Sequence, residues 1–62
     1  MKYIITITSG TNEKTFESNS RNTKRHLIEN GGEICTAKNK KGFILSVCRY
    51  SEEFGYYHCF FK

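Results

Sequence analysis

The chain has no apolar run near the about 20 residues that a membrane-spanning helix needs. Its start, Met1-Lys2-Tyr3-Ile4-Ile5-Thr6-Ile7-Thr8, carries one basic residue and a short apolar patch. A signal peptide needs an apolar stretch of about 7–15 residues and a small-residue cleavage site. The expected location is therefore cytoplasmic. Cysteine is sparse: Cys35, Cys48 and Cys59 form an odd, widely spaced set with no C-x-x-C pair. That excludes the even frameworks of small secreted domains. In a reducing compartment the three act as free thiols and small apolar side chains. No glycine-rich loop leads into a helix, the arrangement that cradles phosphate groups; Gly31-Gly32 follows one instead.

Proline, tryptophan and aspartate are absent, and all six acids are glutamate. Together with plentiful lysine, asparagine and isoleucine, this bias suits an AT-rich genome, such as that of a low-GC bacterium or a phage. Helical grease is scarce too. The single stretch that reads as a helix, 20–30, holds only Leu27 and Ile28 as strongly apolar residues. Ser20 is the expected N-cap, since its hydroxyl can accept a free N–H of the first turn. Gly31-Gly32 ends the helix, because glycine tolerates the left-handed conformation there. A helix of this length is stable only when packed.

What is abundant is strand. Residues 2–8 are β-branched and aromatic, with Tyr3, Ile5 and Ile7 on one face. Ser9-Gly10-Thr11-Asn12 reads as a turn, and 13–18 alternates around Phe16, giving a hairpin over 2–18. After the helix come three more strands, 33–38, 43–50 and 56–61. They are separated by the glycine-ended turns Asn39-Lys40-Lys41-Gly42 and Ser51-Glu52-Glu53-Phe54-Gly55. The expected fold is α+β, one domain over 1–62. A short helix packs on a four- to five-stranded, largely antiparallel sheet in the order β-β-α-β-β-β. Leu27 and Ile28 should make the helix contacts, with Thr23 and the stem of Lys24 beside them. If Val47 sits opposite Phe60, Cys48 comes near Cys59. One thin helix cannot shield both faces of such a sheet, so apolar surface is left to curl on itself, meet a second copy or face a partner.

Sixty-two residues make one small domain; at this size about 60% of the unfolded surface is buried. A net charge of +4 and a pI near 9.1 draw such a domain toward phosphate backbones and acidic surfaces, although a charge of about 2–8 also simply confers solubility.

Two groups of residues could act on a partner. Arg21, Lys24 and Arg25 fall at i, i+3 and i+4, one face of the expected helix, while Lys38, Lys40 and Lys41 crowd a hairpin tip. Such cations neutralise phosphates; the plain alternative is a solvated face, with Arg25 paired to Glu29. Tyr50, Phe54, Tyr56, Tyr57, Phe60 and Phe61 lie close together near the end of the chain. Tyr50, Tyr56 and Tyr57 are the expected interaction surface, for unpaired bases or for a protein, and core packing is the alternative use of such rings.

A zinc site from Cys48, His58 and Cys59, with Cys35 or His26 as a fourth ligand, matches no known spacing. His58 and Cys59 are neighbours that point to opposite faces of a strand. The same geometry denies Cys59 a base in His58, so no enzyme, metal or cofactor is expected. The element order resembles small accessory proteins of phages and mobile elements, with no motif that names one family. Two functions remain as expectations. One is a nucleic-acid-binding accessory module; the other is a protein-binding or inhibitor module docking through an aromatic sheet face, a homodimer being one form of it.

Overall fold

The computed structural model describes residues 2–61. The elements are β1 (Tyr3–Ser9), β2 (Asn12–Ser18), α1 (Thr23–Asn30), β3 (Ile34–Lys38), β4 (Ile44–Ser51) and β5 (Tyr56–Phe61). This is the expected α+β class and element order. The five strands form one sheet, ordered β2-β1-β3-β4-β5, and every neighbouring pair is antiparallel. β2 and β3 therefore run the same way on either side of β1, and α1 carries the chain across from one to the other.

Alternation along each strand decides which side chains meet the helix. Ile5 and Ile7 are buried, and the register sets Ile5 between Phe16 and Ala37, and Ile7 beside Cys35. Cys48 in turn lies between Cys35 and Cys59. The enclosed core is Ile5, Ile7, Leu27, Cys35, Ala37 and Cys48, flanked by the half-buried rings of Tyr3, Phe16, Tyr50 and Tyr57. Half of the enclosed side chains, Cys35, Ala37 and Cys48, are small, so the layer between helix and sheet is thin.

The helix is shorter than expected and starts later. Asn22 is its N-cap: Oδ1 accepts the Arg25 N–H at 3.2 Å. Ser20 sits two residues earlier, where its hydroxyl accepts the Asn22 N–H at 3.2 Å. That turn holds the entry to the helix but does not begin it. Gly31 closes the other end at φ 68°, donating its N–H to the Leu27 carbonyl at 2.8 Å. Only a residue without a Cβ takes that conformation cheaply.

The face turned to the sheet is Thr23, His26 and Leu27, all buried. Ile28, expected to pack, is 53% exposed. One residue past Leu27 is a rotation of about 100°, which turns Ile28 off the buried stripe. His26 replaces it. The ring is 8% exposed, meets Phe16 edge-on at 5.5 Å, and its Nε2–H donates to the Ser20 carbonyl at 2.9 Å. A polar ring can be enclosed there because its hydrogen bond is kept.

After the helix the chain passes close to β1. A Cβ at Gly32 would collide with Ile7 Cγ2 and lie 3.3 Å from Leu27 Cδ1. Glu33 then donates its N–H to the Thr8 carbonyl at 2.8 Å, which starts β3 in register. Among the described residues no helix covers the opposite face of the sheet. No helix among the described residues is long and apolar enough to cross a membrane.

Candidate nucleic-acid interface

Topology sorts the charges. β1 runs from Tyr3 at one end of the sheet to Ser9 at the other, and the antiparallel registers fix which residues share each end. At the Tyr3 end stand Lys2, Lys38, Lys40, Lys41 and Arg21; Arg21 is tied to β4 through its carbonyl, which accepts the Ser46 hydroxyl at 3.0 Å. At the Ser9 end stand Glu13, Glu33, Glu52 and Glu53, with Glu29 in the last turns of α1, against two cations, Lys14 and Arg49. Glu17 is the one glutamate at the basic end. The N-terminus of α1 also lies there, so the helix dipole adds positive potential to the same end.

The hairpin tip between β3 and β4 is a built loop. Asn39 Oδ1 accepts the N–H groups of Lys41 and Phe43, each at 3.0 Å. The Asn39 backbone exchanges bonds with Phe43 and Gly42, also at 3.0 Å. One carboxamide thus closes the loop and leaves Lys40 and Lys41 exposed at its apex. Behind it the β3–β4 ladder shifts register between Ala37 and Lys38, where Lys38 pairs with Ile44. Such a bulge bends the strand end and re-aims its side chains. Lys2, Tyr3, Asn39, Lys40 and Lys41 line one open concavity.

The helix cations do not form the single face expected of them. Arg21 precedes the N-cap and lies outside α1. Lys24 leans toward β5, with Nζ 6.0 Å from the Tyr57 ring centre. Arg25 turns the other way along the helix and meets Glu29 at 3.6 Å, an exposed pair of the kind that contributes little to stability. That pair is the one ion pair among the described residues. Of the six expected phosphate contacts, the fold gathers Lys38, Lys40 and Lys41 and adds Lys2; Arg21 lies at the same end of the sheet but lines a separate hollow with Lys24, and Arg25 is set aside.

The aromatic surface also differs from expectation. Tyr50 and Tyr57 are on the helix side, half-buried, with ring centres 4.8 Å apart. Of the three expected tyrosines only Tyr56 is on the bare face. There it joins residues that were not assigned to the surface. Phe54, Tyr56, His58 and Phe60 form a continuous exposed row along the β4–β5 turn and β5, with centroid separations of 6.0, 4.5 and 6.1 Å. Arg49 pairs with His58 across the ladder and lines a shallow hollow with Ser51, Phe54, His58 and Phe60. Alternation alone would have grouped Tyr56, His58 and Phe60; which side the helix covers is what decides their exposure.

Val47 does pair with Phe60, and Cys48 with Cys59. The two thiols touch at 3.1 Å on the helix side, whereas His58 faces away on the bare side with Tyr56 and Phe60. Sulfur and imidazole therefore do not converge. Among the described residues no group of three or more His, Cys, Asp or Glu side chains is placed to hold a metal ion.

Comparison of the chain with known protein families, with curated proteins and with solved structures finds no match.

Proposed function

We propose that the protein is a non-enzymatic nucleic-acid-binding module that holds phosphates at the basic end of its sheet. The observation that carries this reading is the segregation of charge. Lys2, Arg21, Lys38, Lys40 and Lys41 meet at one end, and five of the six glutamates lie at or toward the other. A net charge of +4 spread evenly would serve solubility alone. The same charge concentrated on a closed, hydrogen-bonded loop makes a local positive field suited to a polyanion.

Binding then weakens with salt, with a log–log slope of about −0.7 for each phosphate neutralised on a single strand. Four or five contacts give a slope near about −3. The test is a salt titration of oligonucleotide affinity for the wild type and for Lys40→Glu/Lys41→Glu. The double swap is expected to abolish binding at moderate salt. Unchanged affinity would discard the reading.

A second reading rests on the bare face. Ile34, Tyr56 and Phe60 are all more than a third exposed, as they would be on a surface that docks a protein or a second copy of the chain. Sedimentation of the free protein over a concentration series separates the homodimer form of this idea from a monomeric module.

A further inference from the structure

The aromatic row leads toward the basic end. From the β4–β5 turn the row runs to the middle of the sheet, where Phe60 pairs with Val47; Lys38, Lys40 and Lys41 lie beyond it, at the Ile44 end of β4. Resting on the phosphate-binding reading above, we infer that the row Tyr56, His58 and Phe60 is a stacking platform for the bases of a single-stranded nucleic acid.

Three observations select this occupant. The rings are ordered against one another: His58 and Phe60 are near parallel, at 28°. Each also presents exposed surface to solvent. The outward-facing strand residues Ile34, Thr36, Lys38, Val47, Arg49, Ser51, Tyr56, His58 and Phe60 include no carboxylate; the glutamates nearest Arg49, namely Glu33, Glu52 and Glu53, lie at the edge of the face. Arg49 stands inside the row, opposite His58, where a guanidinium can reach a backbone phosphate while the bases lie on the rings. An apolar protein partner would have to desolvate that arginine without supplying it a charge. A polyanion with aromatic bases satisfies both features at once.

A duplex cannot use the row, because its bases are already stacked and paired; a single strand can. The platform should also tolerate sequence, since every base has a π-face.

The test measures the affinity of oligo(dT) and of a duplex of equal length for the wild type, for Tyr56→Ala/Phe60→Ala and for Lys40→Glu/Lys41→Glu. A Tyr56→Ala/Phe60→Leu variant keeps apolar bulk at position 60 and guards against a simple loss of fold, which circular dichroism checks. The wild type is expected to prefer oligo(dT). Removing both rings should weaken oligo(dT) binding by about a hundredfold while leaving duplex binding unchanged, and the Phe60→Leu version should do the same.

Undiminished oligo(dT) affinity in both ring variants overturns the platform. If the lysine swap still abolishes binding in that case, phosphate binding stands without it. If the lysine swap is also silent, both ideas fall. A wild-type dimer that the ring variants dissociate, with oligo(dT) affinity unaltered, would make a second copy the occupant and would likewise overturn the inference.

Discussion

Cys48 and Cys59 face each other across β4 and β5 with their Sγ atoms 3.1 Å apart. Cys59 is exposed while Cys48 is fully enclosed. Cys35 continues the row on the far side of Cys48 and is also buried. Three thiols thus stand abreast on adjacent strands, and only the outermost meets solvent.

Mild oxidation should therefore join one pair. With glutathione disulfide as oxidant, the accessible Cys59 thiolate attacks it first and releases one glutathione, and Cys48 then attacks Cys59 Sγ in the mixed disulfide, displacing the second glutathione to close the cross-strand bond. The two protein thiols give up two protons and two electrons, and two glutathione molecules leave. Peptide mapping should find Cys48 linked to Cys59 and Cys35 still reduced. Recovery of mainly Cys35–Cys48 would contradict the order of exposure.

The same row makes stability sensitive to alkali. Burial pushes the Cys48 thiol up from 9.0 to about 12; its bond to Cys59 and the nearness of Cys59 and Cys35 add to this, against an opposing pull from Lys24. Cys35 is raised to about 11 by burial. Above about pH 9 these thiols ionise in the unfolded chain but stay protonated when folded, so the unfolded state holds fewer protons and stability falls as pH rises. The contribution is intact below about pH 9 and is lost as pH climbs toward 11 to 12. Thermal unfolding across that range should decline less steeply for Cys35→Ala/Cys48→Ala than for the wild type. Parallel profiles would count against it.

On the helix, Leu27 and Ile28 should behave as opposites. Leu27→Ala empties the centre of a thin core and is expected to cost about 2–5 kcal/mol. Ile28→Ala, at a 53% exposed position, should stay within about 0.5 kcal/mol. Urea unfolding of the two variants checks the orientation of α1 directly; equal losses would mean a rotated helix.

Capping offers a finer check. Asn22→Ala removes the oxygen that accepts the Arg25 N–H and should cost about 0.5–2 kcal/mol. Ser20→Ala should cost less, because it loses a turn ahead of the helix and not the cap. The reverse ranking in denaturant midpoints would restore Ser20 as the N-cap.

Strand positions were legible because alternation and β-branched composition are local: 56–61 and the facing of Val47 and Phe60 follow from reading two strands side by side. The buried helix face was not. Thr23 and His26 take places where a search for apolar periodicity expects grease, and what qualifies His26 is a carbonyl, that of Ser20, and a ring, that of Phe16, supplied by segments outside the helix. The tyrosines divide for a similar reason. Tyr50, Tyr56 and Tyr57 are equivalent in composition, and only the side on which α1 docks separates the half-buried pair from the exposed one. Lys2 joins Lys40 and Lys41 through the strand order β1-β3-β4, a relation that no local window contains.

Opposite charges at the two ends of the sheet have a kinetic meaning. In the field of a distant polyanion the molecule feels both a pull, from its net +4, and a torque, from its dipole. The torque turns the Lys40 loop forward before contact, so a larger share of collisions arrives already oriented. Added salt shortens the range of that alignment and should therefore slow association more than it hastens escape.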